Sequence, residues 1–589
     1  MSPALTPTDT TYDAVVIGAG HNGLITAGYL ARAGKRVLVV EARDVVGGAC
    51  TSEELIPGST WSSCAFIASL LRPEIIAELE LERYGLQMYQ TEANEVSIFP
   101  DGSHLFMWKD LDRTLKEIAK FSDKDARAFL DFGMRVKKFA SLLTPFLLSP
   151  APSRSQVVAA FEAAGAEDLF NELVLLSTRD LLDRYFENEH IKGLFTFFGM
   201  ISIWGGPSTP GTGYVYGHHS VGEFKGTLGQ WGFVKGGMGG ITAALARSAE
   251  AHGAQILLSS PVHQVITKGG KATGVLLENG TTISARTVIS NADPQRSMLT
   301  LLPAGAIDDK LTTKLQNYDA RGSMARIHLL IDELPDYIGF PAGVEGPQHQ
   351  AQAILGASIE NFERAWEAER RGAIPDDFVI EAVIQSTHDD TLAPPGLHTM
   401  TLGVQQLPFE LDGTDWDTVR DEWADRVLEV LFRYAPNLRG HIRDRVIITP
   451  KDLERDYGLT GGNIFHGAMF FDQLFNNRPT PELADYRTPV TGYYLCGSGT
   501  HPGGGVMGAS GHNAAKVVLA DLTGTAAPTA ARTPAGAARA GVLDRMLDTV
   551  METKAGKKLG YNVASRPAFR KVVKFAARSN AADNGRARH

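Results

Sequence analysis

Val15-Val16-Ile17-Gly18-Ala19-Gly20-His21-Asn22-Gly23, running on to Glu41 and then to Gly47-Gly48, decides the fold of this 589-residue chain. Tyr12 to Ile17 is a short apolar run, β-branched at its last three positions, and reads as a buried parallel strand. Gly18, Gly20 and Gly23 then form G-x-G-x-x-G. The first glycine allows a tight strand-to-helix turn, the second lets backbone approach a pyrophosphate, and the third lets the helix pack close to the strand. Asn22 to Ala33 reads as that helix, with small Ala27 and Gly28 towards the sheet and Gly34 as its stop. Its N-terminus offers free N–H groups and the positive end of a dipole. Arg36 to Val40 is a second strand, and Glu41 follows 18 residues past Gly23. A carboxylate there can accept hydrogen bonds from ribose hydroxyls. The run predicts a dinucleotide site; NAD and FAD both satisfy it this far.

Arg43 and Gly47-Gly48 carry the distinction. Val15 to Gly48 resembles the extended FAD fingerprint of the amine oxidase and phytoene desaturase superfamily. The resemblance implies cofactor contacts from Gly18, Gly20, His21, Asn22, Gly23, Glu41, Ala42, Arg43, Gly47, Gly48 and Ala49. In it the acid holds the adenosine ribose and the second glycine pair runs under the pyrophosphate. Many members continue Gly-Gly-Arg. Here Ala49-Cys50 follows, so one phosphate-contacting arginine is missing and Arg43 is the candidate to cover its role.

Trp231 to Gly240 leads into a helix from Ile241 to His252. Ile256 to Val265 and Ala272 to Leu277 read as two strands around Gly269-Gly270, and Thr287 to Ala292 as another. The resemblance gives Val262 a backbone contact with adenine. Near the end, Gly492 to Leu495 reads as a strand, Gly497 to Gly505 as a loop and Val506 to Leu522 as a helix. That helix N-terminus favours negative charge. The resemblance puts it by the pyrimidine edge of the flavin, with Gly497, Gly504, Gly505 and Val506 against the cofactor. Gly497-Ser498-Gly499-Thr500-His501-Pro502-Gly503-Gly504-Gly505-Val506 and Gly461-Gly462-Asn463-Ile464-Phe465-His466-Gly467 are similar to the phytoene-dehydrogenase-related, retinol-saturase-like and pyridine-nucleotide-disulphide-oxidoreductase-domain branch. The likeness covers residues 12–522.

The expected fold is therefore α/β: a Rossmann-type FAD-binding domain with a discontinuous mixed α+β substrate domain. The flavin domain would use 12–75, 230–300 and 455–522, and the substrate domain 76–229 and 301–454. A basic Ala-rich linker and tail, 526–589, would follow. No second G-x-G-x-x-G unit is present, which disfavours tightly bound NAD(P).

Composition narrows the setting. Cys50, Cys64 and Cys496 make neither a disulfide framework nor a metal spacing, so a reducing, cytoplasmic location and no metal are expected. Met1 to Thr11 lacks an apolar signal region, and no window approaches about 18 unbroken apolar residues. The net charge of −10 hides an asymmetry. Residues 526–589 hold 13 Lys/Arg against 4 Asp/Glu, whereas 1–525 hold 44 against 63. Within 541–578 basic residues interleave with apolar ones, as in Phe569-Arg570-Lys571-Val572-Val573-Lys574-Phe575. Such a segment docks on an anionic membrane surface, or packs on the acidic body, or bridges copies in a homo-oligomer; all three stay open. Nucleic acid is not an expected partner at this charge and without a recognition motif.

His190 to Trp204 is the most apolar stretch of the middle region, and Phe139 to Leu148 is a second cluster. They would line a tunnel for a small lipophilic substrate or form core helices; an apolar run alone does not separate the two, and core is the commoner outcome. By resemblance His501, before Pro502, lies near the isoalloxazine. It would donate a proton, position substrate or only bond to backbone. His466 is the second candidate and His512 the third. Lys235, ahead of Gly236-Gly237, reads as structural, and His218-His219 with Glu223 lacks metal-ligand spacing. The expected chemistry is FAD-dependent dehydrogenation (desaturation) of a lipophilic substrate by hydride transfer to flavin N5, with oxygen or a quinone as electron acceptor. Three other readings stay open: a flavin amine oxidase, a flavin-dependent isomerase or saturase, and a non-catalytic flavoprotein acting through partners.

Overall fold

The computed structural model describes residues 11–224, 227–526 and 528. Its centre is the strand Ala14–Ile17, buried along its whole length. Val37–Val40 and Val288–Ser290 flank it in parallel. Gln255–Leu257 and Tyr493–Leu495 add to the two sides, giving the order 255–257, 37–40, 14–17, 288–290, 493–495. A parallel sheet must be covered on both faces, which is why the central strands Ala14–Ile17 and Val37–Val40 are apolar and buried at every position. Ala14 and Val16 pack against the helices His21–Arg32, Gly239–Ala251 and Ala509–Thr523. Val15 and Ile17 face the other way, onto a three-stranded meander of Val262–Lys268, Lys271–Leu277 and Thr282–Ser284. This is an α/β Rossmann-type arrangement, and its strands come from both ends of the chain.

Two elements depart from the sequence reading. The expected strand from Ile256 to Val265 is two strands in two sheets. Pro261 lies between them and has no N–H to give to a ladder. The last helix starts at Ala509 rather than Val506. Val506 and Gly508 are left-handed, at φ 56° and 78°, and a helix cannot run through such residues.

A second sheet has seven strands in the order 442–448, 324–331, 398–405, 380–383, 352–355, 93–98, 104–108. Ala93–Ile98 pairs with Gln352–Leu355 in parallel; every other pairing is antiparallel. The helices between Leu111 and His219 pack into one apolar cluster beside it. Phe139 to Leu147 forms the last turns of the helix Asp123–Leu147, and His190 to Gly199 lies in the helix Glu189–Gly199. Leu194, Phe197, Met200 and Ile203 are core residues. Among the described residues, no helix is long and apolar enough to cross a membrane. The basic segment 541–578 lies outside the described residues.

The first turn has no room for a side chain at Gly23. A Cβ there would stand 2.1 Å from the Gly18 carbonyl oxygen. Overpacking of this kind costs about 1–3 kcal/mol. Gly23→Ala is expected to lower the thermal midpoint and to strip visible flavin absorbance from the purified protein; a variant with wild-type absorbance would show that the turn can widen.

Candidate functional site

The glycine loop is set by what lies beneath it. Gly18 is left-handed at φ +94°, and a Cβ on Gly20 would lie 2.7 Å from Asn291 Nδ2. The helix His21–Arg32 then begins with no side-chain cap and no acid in its first turn, which leaves its N–H groups for an external anion. Glu41 is buried, and its carboxylate accepts from the Ala19 N–H at 2.6 Å and the Arg43 N–H at 2.9 Å. The acid is thereby fixed across the mouth of the loop. Gly47 donates its N–H to the Ala19 carbonyl at 2.9 Å, and this lays Gly47-Gly48 against Gly20. Gly18, Gly20, His21, Asn22, Gly23, Glu41, Gly47 and Gly48 thus converge. Ala42 is exposed, and Ala49 is half-buried behind the second glycine pair. Arg43 is ion-paired with Glu53 and lies 4.9 Å over the Tyr457 ring. Its buried Nη1 has no partner. Val262, half-buried, opens the meander.

The second motif closes onto the first through Asn22. Its Nδ2 donates to Ser498 Oγ at 3.1 Å, and its Oδ1 accepts from the Gly511 N–H at 3.2 Å. A Cβ on Gly511 would sit 2.3 Å from the Asn22 carbonyl oxygen, so the two helix starts cross in backbone contact. The helix Ala509–Thr523 also lacks a side-chain cap. Gly497 lies against the Asn291 carbonyl and Gly504 against Phe465, while Gly505 and Val506 are half-buried at the loop's edge. His218 Nε2 donates to the Gly504 carbonyl at 3.0 Å, and His219 Nδ1 to the Val215 carbonyl at 2.8 Å; both rings are used by backbone.

Histidines collect around this junction. His501 Nε2 donates to the Phe146 carbonyl at 2.8 Å, which leaves Nδ1 buried and bare. Burial pushes its pKa down to about 4, so the ring is neutral near pH 7 and Nδ1 is an acceptor. His466 is left-handed at φ 58°, and its Nδ1 is also buried without a partner. Burial and then the neighbouring His466 lower His21 to about 3, which places the first motif and the His466 loop side by side. His512 is turned elsewhere, onto Asn513 and the edge of Tyr29. Lys235 is half-exposed and reaches Asp390.

Sequence reasoning missed Arg478. Its guanidinium is fully buried and donates to five carbonyls, those of Phe465, Gly467, Ala468, Gln473 and Ser498. Among the described residues no carboxylate pairs with it. It ties the His466 loop to the flavin loop, and Asn477-Arg478-Pro479 carries no local signal of that role. A cavity of about 310 Å³ is walled by Trp108, Phe129, Phe132, Phe195, Phe198, Tyr216 and Trp231. Phe195 and Phe198 come from the apolar stretch noted in the sequence; the other rings do not. His219, in its wall, stacks on Trp231 at 5.6 Å and lies 6.1 Å from Phe465, the residue against Gly504. His219 and Phe465 thus stand between the cavity and Gly504.

Comparison with known proteins agrees with this geometry. Residues 23–519 match the family described as flavin containing amine oxidoreductase. The chain is 38% identical to "Pyridine nucleotide-disulfide oxidoreductase domain-containing protein 2" of Rattus norvegicus, over 87% of this chain and 94% of that protein. It is 26% identical to the phytoene desaturase (lycopene-forming) of a Paracoccus species, over 86% and 97%. Putrescine oxidase bound to putrescine shares the fold at a TM-score of 0.53 and 18% identity, covering 87% of this chain and 99% of that one. The chain belongs to the flavin-containing amine oxidoreductase family and is an FAD-dependent oxidoreductase. The site suits FAD: two uncapped helix starts face the loop, and buried polar atoms of His21, Arg43, His466 and His501 await partners.

Two outcomes follow from the buried polar groups. His21, His218, His219 and His501 have folded pKa values of about 3, 3, 4 and 4, below the ordinary 6.5. Unfolding lets them take up protons, so stability is held above about pH 6.5 and lost as pH falls towards 4, by up to ~1.4 kcal/mol per pH unit for each histidine. Urea melts across that range should show the decline, and His501→Asn should make it shallower. Arg478→Lys replaces a fork of five donors by three. It should cost at least about 2 kcal/mol in the same melts, because buried carbonyls lose their partners.

Proposed function

We propose that this oxidoreductase dehydrogenates a lipophilic substrate that reaches the flavin through the aromatic cavity. The observation that carries the reading is the wall of that cavity. Seven aromatic rings line it, and on one side only His219 and Phe465 stand between it and Gly504. Aromatic walls hold hydrocarbon by area and shape and set few polar demands on it. Bound FAD supplies the hydride acceptor.

The chain's own residues supply the rest. Glu41 and the uncapped start of His21–Arg32 would hold the ribose and pyrophosphate. The half-buried Gly505 and Val506 and the start of Ala509–Thr523 would offer a positive dipole end where negative charge collects on reduction. His501 holds an unoccupied Nδ1 in the same buried region and can take the proton that leaves when a C–H bond is broken. Arg478 keeps the His466 and His501 loops at fixed distance. The similarity to a phytoene desaturase supports a lipid substrate. The fold shared with putrescine oxidase keeps amine oxidation as the outcome to be tested against it. Oxygen or a quinone would then take the electrons.

Anaerobic titration with lipid and amine fractions, following flavin absorbance, tests the reading. A lipid fraction should bleach the flavin, and bleaching by amines alone would overturn the proposal. Phe198→Asp puts a carboxylate among the rings, where desolvation is costly. It should slow lipid-driven bleaching at least about tenfold, a barrier change of ~1.4 kcal/mol, with flavin content unchanged.

A further inference from the structure

The face of the seven-stranded sheet that meets the cavity carries a transverse row of polar side chains. Gly403 allows the first contact in it. A Cβ there would lie 2.2 Å from Arg326 Nη1 and 3.0 Å from Glu381 Oε2, so only a bare backbone lets the guanidinium reach the acid. Arg326 and Glu381 form a buried pair at 3.8 Å. Gln352, on the next strand, donates its side-chain amide to the other oxygen of Glu381. Glu381 is thereby satisfied from both sides.

Glu95 ends the row and is not satisfied. It stands directly opposite Gln352 in the ladder and is only 7% exposed. Its carboxyl has no hydrogen bond and no ion pair among the described residues, yet it lines the aromatic cavity. The groups facing it are Tyr216, Gln352 and Glu381 with its partner Arg326; His219 and the exposed Lys109 and Lys137 complete the titratable lining. Burial, and then the like charge of Glu381, push the Glu95 carboxyl up to about 8. At neutral pH it is an O–H donor inside a chamber of rings. A bare hydrocarbon would leave that donor unpaired, and buried unpaired donors are strongly disfavoured.

We propose that Glu95 sets the specificity of this cavity by donating a hydrogen bond to the oxygen of a lipophilic ketone, aldehyde or alcohol. The inference rests on the cavity being the substrate route, as argued above. Glu95 is a positioning residue: it anchors the oxygenated end and so decides which carbon lies near the flavin loop.

The test uses flavin-loaded full-length protein and the fluorescence of Trp108 and Trp231, both in the cavity wall. Three probes of equal chain length are compared: methyl nonyl ketone, undecane and undecylammonium. At neutral pH the ketone should bind about tenfold tighter than the alkane, one hydrogen bond's worth of discrimination. Glu95→Leu should erase that preference, weakening the ketone and tightening the alkane, because no donor is then left unpaired. Glu95→Gln, a neutral donor of the same shape, should keep the preference at every pH, whereas in the native protein it should fade as pH rises through about 8. Circular dichroism and flavin content confirm that each variant is folded. Equal affinities for ketone and alkane, a preference that survives Glu95→Leu, or tightest binding of the ammonium would overturn the assignment and leave the substrate route standing. Quenching by none of the probes in folded native protein would overturn the route as well.

Discussion

The side chain of Asn22 holds the molecule's working centre together. One amide reaches Ser498 and Gly511, 476 and 489 residues further along the chain. It can do so only because Gly511 carries no side chain and the two helices cross in backbone contact. The start of His21–Arg32 has no side-chain cap, and in the first turn of Ala509–Thr523 the Gly511 N–H is taken by Asn22 itself. The crossing brings the two glycine motifs together, and neither makes that junction alone. The parallel sheet serves the same end, since it sets the strand Tyr493–Leu495 two places from Ala14–Ile17, with Val288–Ser290 between them.

Around that junction the protein arranges polarity in an unusual way. Arg478 is fully buried and answered by carbonyl oxygens alone. Carbonyl dipoles solvate the charge without cancelling it. The histidines nearby are held neutral by burial, and so they add acceptors rather than further charge. On the far side, the seven-stranded sheet carries acids into an aromatic chamber, where Glu381 is matched and Glu95 is not. The buried charge near the helix crossing and the buried acid in the cavity thus lie on different parts of the fold and are handled differently: one is surrounded by carbonyls, the other by rings.

The parts of this design that depend on local sequence were legible in it. The strand from Val15 to Ile17, the turn at Gly18 and the acid at Glu41 all lie within one supersecondary unit, and each residue type has a single physical use there. Boundaries set by backbone geometry were less readable. The break at Pro261 carries a proline as its sign, but the left-handed Val506 gives none, and the helix therefore begins three residues later than periodicity suggests. Contacts that join distant segments were invisible. Phe195 and Phe197 are neighbours in one apolar helix, yet only the first faces the cavity, because helix rotation is fixed by packing rather than composition. Arg478 and Glu95 look like ordinary charged residues until their neighbours from other strands and loops are in place. The basic tail lies outside the described residues.

The strand order also has a consequence for biosynthesis. The sheet receives its final strand, and the cradle its second helix, from residues near position 500. A nascent chain on the ribosome can form the glycine turn early, but the Asn22 amide meets Ser498 only after 476 further residues have been made and Gly511 only after 489. A chain stalled before that point carries the glycine turn without the crossing helix that Asn22 holds.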